Sequence, residues 1–256
     1  MTTPAACTST ETDPRQHRHA RSVLGDSIEY VCGCINVIDP PSGVLRSVSK
    51  CAGHRQDQKE AGELGPDYYR GLGTLNPDEP RDMTEARYVG QLTEALGAIP
   101  RAARPNAITM EIGCGISPYM KAFCRAGYAY IGIEPSRWAA EWAREHLGAF
   151  IRNVPIEAAI LPYPIADVIL AAHVIEHLGD APGIITGLAG MLNPGGELWI
   201  VVPDDTDPLN PDHLWFYNAA TLHAGLQQSG LHVQSIATRK YIERENFLYA
   251  RARKPE

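Results

Sequence analysis

The sequence predicts an α/β domain with a mainly parallel sheet, preceded by a small β-hairpin extension. Three observations carry this expectation. From Ile108 onward, short runs of apolar and β-branched residues alternate with helical patterns. Glycines or a Pro-Gly-Gly turn punctuate those patterns at regular intervals. The run 198–202, Leu-Trp-Ile-Val-Val, is apolar throughout, as befits a strand covered on both faces. With 256 residues, 44% of them hydrophobic and 21% charged, the chain can bury one large core and still carry an appendage.

Residues 1–26 show no hydrophobic periodicity and are expected to be unstructured. Residues 27–81 form an extension. In it, Tyr30-Val31-Cys32 and Val37-Ile38 lead into a Pro40-Pro41-Ser42-Gly43 turn and a second run at 44–48, which reads as a hairpin. Residues 56–81 are polar and broken at Pro66, Gly71, Gly73, Pro77 and Pro80, a loop-rich connector. Tyr68 and Tyr69 within it are candidates for a lid. The main domain spans residues 82–256. It opens with a helix over 82–96, where Tyr88, Val89, Leu92 and Leu96 fall at helical spacing and Gly97 stops the run.

Strands are then expected at 107–112, 130–133, 168–171, 198–202, 232–237 and 247–252. Helices are expected at 119–125, from the Ser136 cap to Leu147, at 184–192 and at 219–228.

Charge narrows the partners. Lys and Arg number 23 against 30 Asp and Glu, a formal charge of -7, so phosphate neutralisation by clustered cations is not expected and nucleic acid is disfavoured. No apolar stretch approaches the roughly 18–20 residues of a membrane span, and residues 1–21 lack a signal-peptide core. The expectation is a cytoplasmic protein without a membrane partner. Oligomeric state leaves no mark on the sequence.

The segment Glu111-Ile112-Gly113-Cys114-Gly115-Ile116-Ser117-Pro118 joins the first strand of the main domain to the next helix. Two glycines there let the backbone turn tightly and approach a ligand. Glu134 ends the following strand, where a carboxylate suits the paired hydroxyls of a ribose. A dinucleotide loop needs a small residue three positions after the second glycine, and Pro118 fits that poorly. Glu111 would repel a pyrophosphate and is better matched to a cationic ligand, which favours an adenosyl cofactor with a positive end.

These residues resemble the class I S-adenosylmethionine-dependent methyltransferases. Glu111-x-Gly113-x-Gly115 is similar to their first motif and Gly132-Ile133-Glu134-Pro135-Ser136 to the second. Residues 167–178, ending Glu176-His177-Leu178, resemble the fourth-strand motif, and Leu192-Asn193-Pro194-Gly195-Gly196 the turn before the fifth strand. The resemblance implies a Rossmann-like, doubly wound, seven-stranded sheet with helices on both faces, and S-adenosylmethionine as cofactor. It places Glu111, Gly113, Cys114 and Gly115 at the methionine end and Glu134 at the ribose. Pro135 and Ser136 would flank the adenine, with Asn153, or else Glu157, as the polar contact after the third strand, and His173 would lie beside the sulfonium and acceptor.

The implied activity is methyl transfer to an oxygen or nitrogen of a small biosynthetic molecule. A protein acceptor and a non-catalytic adenosyl-binding protein are the alternatives. His213, in a loop rich in Asp and aromatic residues after the fifth strand, is the candidate base, with His173 second. The other reading of His213 is packing of its loop. Glu176 and His177 read as a helix cap and a core histidine, and Cys114 and Cys124 as packing thiols.

Cys32-x-Cys34 and Cys51-x-x-His54 flank the hairpin, so two thiolates and a Cys/His pair can meet as a tetrahedral Cys₃His zinc site. Free thiols on a strand are the alternative.

Overall fold

A computed structural model describes residues 20–24, 27–30, 35–38, 45–49, 81–204, 213–242 and 245–256. Its centre is a seven-stranded sheet. The strands in chain order are β5 (Ile108–Ile112), β6 (Ala129–Ile133), β7 (Ile151–Arg152), β8 (Ala166–Ala172), β9 (Leu192–Pro203), β11 (His232–Ile242) and β12 (Glu245–Arg253). In space they run β11-β12-β9-β8-β5-β6-β7. Strands β5 to β9 pair in parallel, and β12 is antiparallel to both β9 and the edge strand β11.

Side chains alternate across this sheet with a period of two. From β9, Leu198, Ile200 and Val202 enter one core, while Trp199 and Val201 enter the other. From β12, Leu248 and Ala250 divide from Phe247 and Tyr249 in the same way. The first core is covered by α4 (Ala181–Met191) and α5 (Ala219–Gln228). The second is covered by α1 (Arg81–Leu96) and α2 (Met120–Arg125), with α3 (Arg137–Leu147) packed on Tyr130 and Ile151 alongside. Helices on both faces of a mostly parallel sheet are the expected class.

Local chemistry sets the boundaries. Ser136 caps α3 by accepting from the Ala139 amide at 3.2 Å, and Gly148 ends it at φ 64°. Helix α4 begins three residues ahead of the expected start, because Asp180 accepts from the Gly183 amide and Pro182 suits the first turn. The third strand is only two residues long, and Ile156–Ala158 is a 3-10 turn.

A second sheet is built from β1 (Ala20–Leu24), β2 (Ser27–Tyr30), β3 (Ile35–Ile38), β4 (Leu45–Ser49) and β10 (Trp215–Phe216), in that order. The hairpin around residues 40–43 is β3 paired with β4, Ile38 opposite Leu45. Strand β1 falls inside residues 1–26, where no structure was expected. A five-residue segment is too short to show periodicity and takes its order from pairing with β2. Strand β10 comes from the main domain and pairs antiparallel with β4.

Candidate active site

The carboxyl ends of β5, β6 and β8 converge on one edge, the usual ligand crevice of an open parallel sheet. After β5 the backbone adopts positive φ at Gly113 (61°), Gly115 (50°) and Ser117 (54°). A Cβ on Gly113 would run into Val174 Cγ2, so this turn requires glycine on conformational and steric grounds. The Cys114 amide donates to Ile133 O at 3.0 Å and the Ser117 amide to Cys114 O at 2.7 Å, which ties the loop to β6.

Glu134 spans the next junction. Its Oε2 accepts from the Gly115 amide at 2.7 Å and its Oε1 from the Ser136 amide at 2.8 Å. Burial pushes its carboxyl above the ordinary range, against the pull of those two amides. Asn153 Nδ2 donates to Glu134 O (2.8 Å) and Pro135 O (2.9 Å), fixing the backbone that presents the carboxylate. Ser136 is fully buried, with its hydroxyl engaged in the helix cap. Cys114 packs its side chain with the α3 core, its thiol donating to Gly115 O at 3.8 Å from beneath the loop, and burial pushes that thiol well up. Packing was the expectation for this thiol.

Beneath the loop lies Glu111, buried, accepting from Tyr130 Oη at 2.6 Å. Tyr130 Oη is also 3.0 Å from Ser117 Oγ. Burial raises the Glu111 pKa to about 8; the Tyr130 hydrogen bond and the Arg81 charge oppose this, and Glu134 adds to it. Arg81, at the start of α1, donates to Ile116 O from Nη2 and to Glu85 Oε1 from Nε, so the first helix holds the loop in place.

The other half of the site follows β8. His173 has φ 56°, and its amide donates to Val201 O at 2.8 Å. Its ring stands edge-on to Phe247 at 4.5 Å, and its Nδ1 is 3.7 Å from Glu176 Oε1. Glu176 and His177 occupy a 3-10 turn, Ile175–His177, whose carboxyl-side backbone receives the segment at 213–217. The Leu214 amide donates to Glu176 O and the Trp215 indole to Leu178 O, each at 2.7 Å. These two bonds bring the His213 ring to 5.0 Å from that of His177.

Glu176 is 1% exposed, and neither carboxylate oxygen has a hydrogen-bond partner among the described residues. Burial would raise its pKa, but the surrounding His173, His177 and His213 outweigh that and hold it below the usual carboxylate range. His177 Nε2 lies 3.9 Å from Glu176 Oε1. The reading of Glu176 and His177 as a cap and a core histidine is therefore corrected. Asp180 caps the helix, Glu176 is an uncapped buried carboxylate, and the His177 side chain is 39% exposed.

The structure thus gathers Glu111, Gly113, Cys114, Gly115, Glu134, Pro135, Ser136, Asn153 and His173 at one sheet edge, and adds His213 beside it. Cys32, Cys34, Cys51 and His54, with Tyr68 and Tyr69, lie outside the described residues. Sequence reasoning missed Arg81, Tyr130 and Ser117. The signal for Tyr130 was available: it is a lone hydroxyl on an otherwise apolar strand, two residues before Gly132 on the same side. No described helix is long and apolar enough to cross a membrane.

A family model for the methyltransferase domain matches residues 83–236. A ubiquinone biosynthesis O-methyltransferase from Parvibaculum lavamentivorans is 28% identical over 151 residues, which is 56% of this chain and 60% of that protein. One from Rhodopseudomonas palustris is 35% identical over 92 residues, 34% of this chain and 36% of the relative. These matches therefore span between about a third and three fifths of the curated relatives. Among solved structures, the N-methyltransferase NodS from Bradyrhizobium japonicum WM9, in complex with S-adenosyl-L-homocysteine, aligns with a TM-score of 0.57 at 18% identity, covering 79% of this chain and 99% of that one. Magnesium protoporphyrin IX methyltransferase from Synechocystis PCC 6803 with bound SAM aligns at 0.57 and 15% identity, covering 80% and 99%. At these identities the structural likeness is one of fold.

Proposed function

The chain belongs to the class I S-adenosylmethionine-dependent methyltransferase family, and we propose that it transfers a methyl group from S-adenosylmethionine to a hydroxyl oxygen of a small-molecule acceptor. The observation that carries this reading is the placement of a cation-accepting glycine loop directly beside a histidine cluster, at one edge of the sheet. The curated relatives' O-methyltransferase names support oxygen over nitrogen.

The residues fit the cofactor. Glu111 is a buried carboxyl with its pKa near 8, an unfavourable site for a lone anion and a favourable one for an ammonium group brought to it. Glu134 spends one lone pair of each oxygen on a backbone amide, which leaves a second on each for ribose hydroxyls. Bound there, S-adenosylmethionine supplies a methyl carbon on a positively charged sulfur.

Glu111 and the amides of the glycine loop hold the amino-acid end, while Glu134 orients the ribose. Pro135, Ser136 and Asn153 shape the adenine side through their backbone and its hydrogen bonds. His173 takes the acceptor's proton. Its side chain is 36% exposed, and with Glu176 Oε1 3.7 Å from Nδ1 its Nε2 is the nitrogen left for the reacting hydroxyl. His213, 6% exposed against His177 and Phe216, shapes the acceptor side and is less suited to the proton transfer first expected of it. Cys32, Cys34, Cys51 and His54 serve in this reading as a zinc staple for the extension, and residues 82–256 as the catalytic unit.

The full chain incubated with S-adenosylmethionine and a panel of catechols and hydroxylated quinone precursors is expected to release S-adenosylhomocysteine and a methyl ether. Glu134→Ala is expected to lose cofactor binding measured by calorimetry. Binding without turnover of any small acceptor, together with methylation of a protein fraction, would favour the protein-acceptor reading. Absence of cofactor binding at millimolar concentration would overturn the proposal.

A further inference from the structure

Glu176 is the most unusual polar group among the described residues. It is 1% exposed, has no hydrogen bond of ordinary length on either oxygen among the described residues, and faces the imidazoles of His173, His177 and His213, with His173 Nδ1 3.7 Å and His177 Nε2 3.9 Å from Oε1. A buried carboxylate without donors is costly and calls for a counter-charge. One ligand atom each from Glu176, His177 and His213 can be chosen so that all three lie within 4.8 Å of one another.

We infer that Glu176, His177 and His213 form a binding site for one divalent first-row transition-metal ion, whose open positions receive the acceptor oxygen. Metal–ligand bonds of about 2.0–2.2 Å place neighbouring ligand atoms roughly 3–3.5 Å apart, so small side-chain rotations close the observed spacing. Two imidazoles and one carboxylate suit zinc, cobalt, iron or manganese, whereas magnesium and calcium prefer all-oxygen surroundings. Three protein ligands leave coordination positions open, the arrangement of a catalytic and not a structural centre.

The supporting frame is rigid. Glu176 and His177 are consecutive in one 3-10 turn, and the Leu214 and Trp215 hydrogen bonds hold the segment bearing His213 against that turn. His173 approaches the same carboxylate from the cofactor side.

The ion acts as a Lewis acid on the acceptor hydroxyl and lowers its pKa. The hydroxyl proton passes to His173 Nε2, the oxygen forms its bond to the methyl carbon, and the carbon–sulfur bond breaks with its electron pair going to sulfur. The acceptor step rests on the O-methyl transfer proposed above; metal binding itself does not.

The test is a cobalt(II) titration of the chelator-treated full chain. Alongside any equivalent that shows sulfur-to-cobalt charge transfer from the N-terminal cysteines, one further equivalent is expected to give visible d–d absorption without it. His177→Ala and His213→Ala are each expected to weaken that component more than about tenfold, while S-adenosylhomocysteine binding by calorimetry is unchanged. Catechol is expected to shift the d–d bands. No thiolate-free component in the wild type, or one that both substitutions leave unaltered, overturns the site. Unshifted bands with catechol overturn the acceptor role. Loss of S-adenosylhomocysteine binding in the wild type would overturn the cofactor reading and leave the metal result standing by itself.

Discussion

Gly113 shows how one residue can be fixed by two independent constraints. Its φ of 61° is unfavourable for an L side chain by roughly 1–2 kcal/mol, and an added methyl meets Val174 Cγ2. Gly113→Ala is expected to weaken cofactor binding more than about tenfold in calorimetry. Gly113→Ala with Val174→Ala is expected to recover part of that loss, because the shorter side chain removes the collision and leaves only the conformational term. The glycine turn and the position of Glu134 just after β6 were legible in the sequence because turn chemistry acts locally. Glu176 was not, since its meaning depends on His213, 37 positions away, and on a burial that no local pattern expresses.

Among the elements, α3 was legible to the residue. Ser136 and Gly148 mark its ends with the cap preferences of any helix. The structure sharpens what Ser136 does. Its buried hydroxyl is bound to the Ala139 amide, and its own amide donates to Glu134. Ser136→Ala is therefore expected to cost about 1 kcal/mol, or roughly 2–4 °C in Tm, with cofactor affinity changed less than about threefold. A large loss of affinity would instead assign the hydroxyl to the adenine. The short β7 and the early start of α4 were harder to read. Two residues carry no periodicity, and an Asp180 cap resembles any loop aspartate until the chain is folded.

At the scale of the molecule, the buried Glu111 carboxyl makes stability depend on pH in an uncommon sense. The Glu111 carboxyl is raised from an ordinary 4.5 to about 8, so the native state holds its proton more tightly than the unfolded chain does. Its contribution is present in full below about pH 4.5 and is lost as pH rises through 8. An ammonium group beside Glu111 reverses this preference and expels the proton. Cofactor affinity is thus expected to rise from pH 6 to about 8, with proton release visible as buffer-dependent calorimetric enthalpy. Tyr130→Phe removes a donor to the charged form and is expected to move that rise to higher pH.

Strand β10 belongs to two neighbourhoods at once. Trp215 stands opposite Arg46 and Phe216 opposite Leu45, so the segment that carries His213 is also the last strand of the smaller sheet. A lengthened loop ahead of β4 would displace His213 while leaving every residue from 108 to 136 as it stands. On the proposed reading of His213, exchanges in the N-terminal sheet would reach the acceptor side while the glycine loop and Glu134 keep their own neighbours. The two ends of the reaction are held together in space yet are inherited on separate stretches of chain.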